Sequence, residues 1–234
     1  SRGIYIAFID DDDQWLPEKL EKQVRVLDTS SPDVGAVCTG AVSVDIKSGV
    51  PIEVALPRYS GKVRNERLES NFISTSSIVV KRECFEKVGT FDQTLSYGED
   101  FDMWIRLARV FLVESIPEPL IKHTDHQNAT SSNNKLIARN LERIIDKHRE
   151  LFRSNRKGLA NYLLKAGTAY CYDGNIARGR ALLLKAVRIY PLDIKLYYNI
   201  ALTLLGPDMY KNIKTIKANL LKELSGNAPR RSSR

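Results

Sequence analysis

No apolar run in these 234 residues approaches the ~20 needed to cross a bilayer, which excludes a chain that spans a membrane by its own helices. Cysteine is scarce: Cys38, Cys84 and Cys171 are odd in number, far apart and set among apolar neighbours. That pattern excludes a disulfide framework and reads as reduced core thiols in a cytoplasmic setting. An opening methionine and a secretory signal are both missing from Ser1-Arg2-Gly3, so the Asn128-Ala129-Thr130 sequon reads as chance. The apolar Ile4–Ile9 run follows at once, and the sequence therefore reads as a piece that starts inside a domain. Net negative charge is absent too, since the formal charge is +8. Between residues 211 and 234, Lys211, Lys214, Lys217, Lys222, Arg230, Arg231 and Arg234 face only Glu223, so the basic surplus belongs to a tail. The body is close to neutral, and no nucleic-acid partner is expected.

What is present begins with Ile4-Tyr5-Ile6-Ala7-Phe8-Ile9 running into Asp10-Asp11-Asp12-Asp13. Six apolar residues of this kind predict a strand buried on both faces. Gln14-Trp15-Leu16-Pro17-Glu18 then predicts a helix from Pro17 to about Thr29, with Leu20, Val24 and Leu27 on its apolar face. The acids would sit at the carboxyl end of a strand, where open α/β sheets place their ligands. Four adjacent carboxylates repel one another unless a cation or a donor-rich ligand compensates. A hard divalent cation shared with phosphate oxygens would do so. A solvated aspartate turn is the bland alternative. An EF-hand loop is excluded, because Trp15 stands where that loop needs glycine.

Farther along, Val34–Asp45 reads as a strand, 50–67 as irregular, and Ile73–Val80 as another strand. Arg82–Val88 reads as a short helix stopped by Gly89. A second acidic group follows in Gly98-Glu99-Asp100-Phe101-Asp102-Met103-Trp104-Ile105-Arg106, whose spacing predicts a helix from Glu99 to about Val110. Glu99 and Asp100 would occupy its first turn, where free N–H groups favour anions; simple capping explains that placement equally well. Phe111–Ile116 reads as a strand, and Pro117-Glu118-Pro119 as a bend before His123 and His126. A mixed-charge helix is expected over 134–153. Leu163, Ala166, Gly167, Tyr170, Gly179, Leu183, Ala186 and Pro191 then follow the pattern of one 34-residue tetratricopeptide-type helix pair, with a partial second unit from Asp193.

Taken together, the Tyr5–Glu21 stretch, Val88-Gly89-Thr90-Phe91-Asp92 and Gly98–Leu107 resemble the family 2 glycosyltransferases of the GT-A nucleotide-sugar fold. The resemblance covers residues 1–128. It implies an α/β fold, an incomplete GT-A (Rossmann-like) domain; after it, the residue pattern alone reads as a connecting helix at 129–156, an α-helical tetratricopeptide-like region at 157–224, and a basic disordered tail at 225–234. The resemblance carries the function as well. It implies inverting, metal-dependent transfer from a nucleoside diphosphate sugar to a hydroxyl on a glycan or lipid-linked acceptor, in surface polysaccharide or glycan biosynthesis. Asp10-Asp11-Asp12 would be the DXD element, with Asp10, Asp12 and Asp13 around Mg²⁺ or Mn²⁺. Asp10, Asp11, Glu99 and His126 would contact substrate, and Asp100 would be the general base. Thr124 replaces an arginine common in the family, which weakens any diphosphate clamp there. The family's nucleobase-gripping half is not in this sequence, so the chain alone would be a poor or inactive catalyst.

Two further functions stay beside this one: a helical interaction module without catalysis, and glycoside hydrolysis by a carboxylate pair. For the end of the chain, Ile213, Ile216, Leu220, Leu221 and Leu224 share one helical face ringed by lysines. That face either caps the helical stack, the favoured reading, or docks peripherally on an anionic inner membrane face.

Overall fold

The computed structural model describes residues 2–45, 49–57, 73–125 and 133–226. The chain divides into two compact units, the first formed by 1–131 with 148–158, the second by 132–147 with 159–234.

The first unit is mixed α/β. Its elements are β1 (Tyr5–Ala7), β2 (Gln14–Trp15), α1 (Lys19–Thr29), β3 (Val34–Asp45), β4 (Pro51–Ala55), β5 (Ile78–Lys81), α2 (Arg82–Val88), α3 (Glu99–Val110) and β6 (Leu112–Asp125). The sheet order is β1-β5-β3-β6-β2, with β4 paired to the far part of β3. β3 and β6 run parallel at its centre, and the remaining pairings are antiparallel. One face is filled by Ile78, Val80, Met103, Trp104, Leu107 and Val113, a cluster that fixes α3 to the sheet. The other face packs Val34, Val37 and Val79 against Leu27 of α1.

Several expectations hold to the residue. β3 spans Val34–Asp45, α2 spans Arg82–Val88, and Gly89 follows α2 at φ 77°, a region that suits glycine. Other elements differ. The strand expected over Ile4–Ile9 keeps only Tyr5–Ala7, and Ile4 and Ile9 are 73% and 51% exposed. β1 is a terminal strand of the sheet, so its residues are half-buried rather than enclosed on both faces. α1 begins at Lys19 instead of Pro17, because Gln14 and Trp15 first pair with β6. Its buried side is Lys19, Gln23 and Leu27, while Leu20 is exposed. The segment read as irregular contains β4. Ile73–Val80 is a strand only from Ile78, after a 3-10 turn at Thr75–Ser77. β6 does not bend at its prolines: the register slips from Thr39↔Ile116 to Gly40↔Pro119, so Pro117 and Glu118 are accommodated as a bulge.

The second unit is helical: α4 (Asn134–Lys147), most of α6 (Arg156–Tyr172), α7 (Ile176–Ile189), α8 (Ile194–Thr203) and α9 (Pro207–Gly226), while α5 (Arg149–Ser154) belongs to the first unit. The helix expected over 134–153 is thus two helices, broken at His148. Gly167 of α6 and Gly179 of α7 let their backbones approach: a Cβ on Gly167 would stand 2.9 Å from the Gly179 carbonyl oxygen. α9 meets α8 through Tyr210, whose hydroxyl donates to Asn199 Oδ1 at 2.9 Å. The face expected to cap the stack is described only in part. Ile213 is half-buried, whereas Ile216 and Leu220 are 58% and 53% exposed. The side chains of Leu221 and Leu224 lie outside the described residues, as do residues 227–234. Among the described residues no helix is long and apolar enough to cross a membrane.

The three cysteines are free and buried. Burial pushes the thiols of Cys38, Cys84 and Cys171 up to about 12, 11 and 11, so they stay protonated and inert.

Candidate active site

The acidic run forms a turn that leaves β1 and re-enters the sheet as β2. Asp13 N–H donates to the Asp10 carbonyl at 3.1 Å and closes the turn. Three bonds pin it from outside. Asp10 N–H donates to Ser76 Oγ at 3.0 Å, the Trp15 indole N–H donates to the Ser76 carbonyl at 3.0 Å, and Leu16 N–H donates to the Leu120 carbonyl at 3.0 Å. The 3-10 turn before β5 and the far half of β6 therefore hold the acids in place.

Within the turn the carboxylates divide. Asp10, Asp11 and Asp12 are exposed. Asp13, expected beside the cation, is turned inward with its side chain 1% exposed, and Oδ1 accepts from His123 Nδ1 at 2.5 Å. The other ring nitrogen of His123 lies 3.3 Å from Ser74 Oγ. Asp13 Oδ2 is buried without a hydrogen-bond partner among the described residues. Burial, then the charges of Asp13 and Asp12, raise the Asp10 carboxyl above the usual carboxylate range, against the opposing pull of His123 and Ser76.

That surplus of negative charge is the condition a divalent cation relieves. Among the described residues no three His, Cys, Asp or Glu side chains form a closed ligand set. A cation of the Mg²⁺ type does not need one, because one or two carboxylates with phosphate oxygens and water complete its shell. Asp10 and Asp12, two positions apart in the turn after β1 and both exposed, fit such a half-open site.

The second acidic group opens α3. Gly98 at φ 75° turns the chain into the helix, and Asp102 N–H donates back to the Gly98 carbonyl at 3.0 Å. Glu99 and Asp100 are half-buried, and Asp100 Oδ1 accepts from the Phe101 N–H at 2.6 Å. Tyr97 stands beside them: burial, followed by the charges of Asp100 and Glu99, raises its phenol above the ordinary range and keeps it a hydrogen-bond donor.

An aromatic cluster links the two groups. Phe8, two residues before Asp10, lies 6.0 Å ring to ring from Trp104, four residues after Asp100. Phe91 packs on both, at 5.5 Å and 6.0 Å. The strand that delivers the aspartate turn and the helix that begins with Glu99-Asp100 thus share one core. His126 lies outside the described residues. His123, which the sequence marks only as part of a His-rich stretch, is the histidine that meets the acids. Nothing local distinguishes the two histidines; the β2–β6 register, with Gln14 opposite Lys122, brings His123 to Asp13. Tyr97 had no sequence signal beyond its place before Gly98-Glu99-Asp100.

Residues 1–89 match the family Glycosyl transferase family 2. That span includes the aspartate turn and stops before Asp100. Among curated relatives, an uncharacterized glycosyltransferase of Haemophilus influenzae is 26% identical over 222 residues, covering 92% of this chain and 74% of the relative. An uncharacterized glycosyltransferase of Rickettsia prowazekii is 29% identical over 141 residues, covering 56% of this chain and 42% of the relative. The chain thus spans less than half the length of that relative. Among solved structures, a mannosyltransferase from Pyrobaculum calidifontis in complex with GDP-Man and Mn²⁺ is similar at TM-score 0.47 and 18% identity, over 94% of this chain and 61% of that one. Residues 1–89, which lie in the mixed α/β first unit, are thus similar to family 2 glycosyltransferases, and the named relatives are glycosyltransferases.

Proposed function

We propose that this chain is the cation-binding and acceptor-activating part of an inverting glycosyltransferase that uses a nucleoside diphosphate sugar. The observation that carries the reading is the shared aromatic core of Phe8, Phe91 and Trp104, which seats the aspartate turn and the Asp100 turn on one body. Asp12, with Asp10, holds Mg²⁺ or Mn²⁺; such an ion, when bound, offsets the charge that grows on a departing diphosphate. Asp13 braces the turn through His123. Asp11 and Glu99 border the donor and acceptor, and Asp100 removes the proton from the acceptor hydroxyl. As that O–H bond breaks, the oxygen forms a bond to the sugar C1 from the face opposite the diphosphate. The C1–O bond to the diphosphate breaks, and its electron pair leaves with the nucleoside diphosphate. Tyr97, kept protonated, donates to Asp100 or to the incoming hydroxyl. The site holds carboxylates at two places that differ in exposure, and the exposed pair at the strand end favours a cation over glycoside hydrolysis, which needs none.

The test is isothermal titration of UDP and GDP with and without Mn²⁺, on wild type and on Asp12→Ala, each in a protein that also carries the family's nucleobase-gripping half. Mn²⁺-dependent binding that disappears in Asp12→Ala is expected; Mn²⁺-dependent binding retained by the variant would remove the metal assignment.

For the acceptor, the exposed Met209, Ile216 and Leu220 on one side of α9 favour a lipid-linked substrate. With the basic tail, this stripe docks on an anionic membrane face, where a lipid-linked precursor of a surface glycan is held. The helical unit serves as a tetratricopeptide-like support for that contact.

A further inference from the structure

Asp102 occupies the first turn of α3, two residues beyond Asp100, and is fully buried. Both of its oxygens are engaged. Oδ1 accepts from His148 Nε2 at 2.8 Å, and Oδ2 accepts from Arg106 Nε at 3.0 Å. Arg106 carries the connection onward, donating to the Thr90 carbonyl at 2.8 Å and to the Val88 carbonyl. One carboxylate thereby joins α3, the turn after α2, and the start of the α5 segment, 46 residues away along the chain. His148 reaches it because α4 and α5 break there: its backbone sits at φ −107°, ψ 31°, outside the helical range. Its ring is 3% exposed, and Nδ1 is buried without a partner among the described residues. An unpartnered buried nitrogen costs stability, so the contact to Asp102 is retained at some expense.

The first turn of a helix lacks the preceding carbonyls that hold later turns, and it frays unless anchored. Asp100 sits in such a turn, behind a left-handed glycine and with no side-chain cap at Gly98. A base must be held to within a few tenths of an ångström of its working position. We propose that His148, acting through Asp102, is a positioning residue that fixes the first turn of α3 and with it the carboxylate of Asp100. This rests on the reading of Asp100 as the base. It also makes the 148–158 segment part of the working domain, because His148 bonds to α3.

The test compares His148→Phe, which keeps a ring and loses the donor, with His148→Gln, whose amide nitrogen can occupy the place of Nε2. Amide hydrogen exchange over 99–104 is measured on the full chain, with circular dichroism as the check that both variants fold. In His148→Phe the exchange of these amides is expected to quicken about tenfold or more while the β3 and β6 amides stay protected, and His148→Gln is expected to restore protection. Unchanged exchange in His148→Phe, or equal loss in the two variants, overturns the inference and leaves Asp100 as it was. If exchange responds as expected but Asp100→Asn, with Mn²⁺ present, transfers the sugar of a nucleoside diphosphate sugar to a hydroxyl and releases nucleoside diphosphate as fast as an active wild type, the base reading fails. The catalytic meaning of the clamp then falls with it.

Discussion

At the scale of single residues, the site's charges are set by which carboxylates face water. Asp12 is exposed in the turn, so Asp12→Asn should keep the fold and lose Mn²⁺-dependent nucleotide binding. Asp100→Asn keeps the shape of the first turn of α3 and removes the proton acceptor. In a protein that also carries the nucleobase-gripping half, turnover should fall by ~10²–10⁴-fold with nucleotide affinity unchanged, and a rate within a few-fold of wild type would make Asp100 a helix cap only. Lys19 offers a separate check on the packing beneath the turn. It is fully buried, donates to Gln23 Oε1 at 2.7 Å, lies 4.4 Å from the centre of the Trp15 ring, and is held by burial at about 8. The unfolded chain binds this proton up to the ordinary lysine range near 10.4, so between roughly pH 8 and 10 the unfolded state holds more protons. Stability contributed at Lys19 therefore rises with pH through that window. Relative to Lys19→Met, the wild type should gain melting temperature between pH 7 and 9.5; a flat difference would contradict the buried ammonium. None of this was readable from the residues around Lys19, because helical periodicity assigns burial to Leu20 and Val24. The buried side of α1 is polar because Gln23 Nε2 must satisfy the carbonyls of Val37 and Ser77, at 2.6 Å and 2.9 Å.

Single elements were legible where local signals decide them. Val34–Asp45, Arg82–Val88 and Glu99–Val110 carry their own periodicity and stops, and β3, α2 and α3 match those bounds. Elements decided by distant partners were not. β1 is half-buried because it is a terminal strand of the sheet, which no run of apolar residues reveals. β6 passes through Pro117 and Pro119 because β3 offers Gly40, where a side chain would collide with Glu118 and Ala55 carbonyls. The α6–α7 crossing depends on glycine in the same way. A Cβ at Gly179 would meet Cys171 Sγ and stand 2.6 Å from the Gly167 carbonyl oxygen, so Gly179→Ala must push the helices apart. A loss of about 1–3 kcal/mol in urea unfolding is expected. An unchanged midpoint would mean that the crossing is looser than its backbone spacing implies.

For the whole molecule, the candidate site lies within the first unit, and the acidic signals that mark it were visible as composition and spacing. Their meeting was not, since it depends on Phe8 packing against Trp104, far along the chain. The exposed stripe on α9 is a property of the second unit. Ile216→Glu with Leu220→Glu should abolish salt-sensitive co-sedimentation with anionic vesicles without lowering the melting temperature, because both side chains are exposed. Failure of the wild type to co-sediment would remove the membrane contact. A cation held at the aspartate turn would sit across one core from Asp100. Paramagnetic broadening by Mn²⁺, followed by nuclear magnetic resonance in the presence of UDP or GDP, reads this directly. The expected result is loss of signal first at Asp10–Asp12 and Ser76, then at Tyr97 and Asp100, all of it restored in Asp12→Ala. Broadening spread over the surface acids, or centred away from Asp10–Asp12, would contradict it.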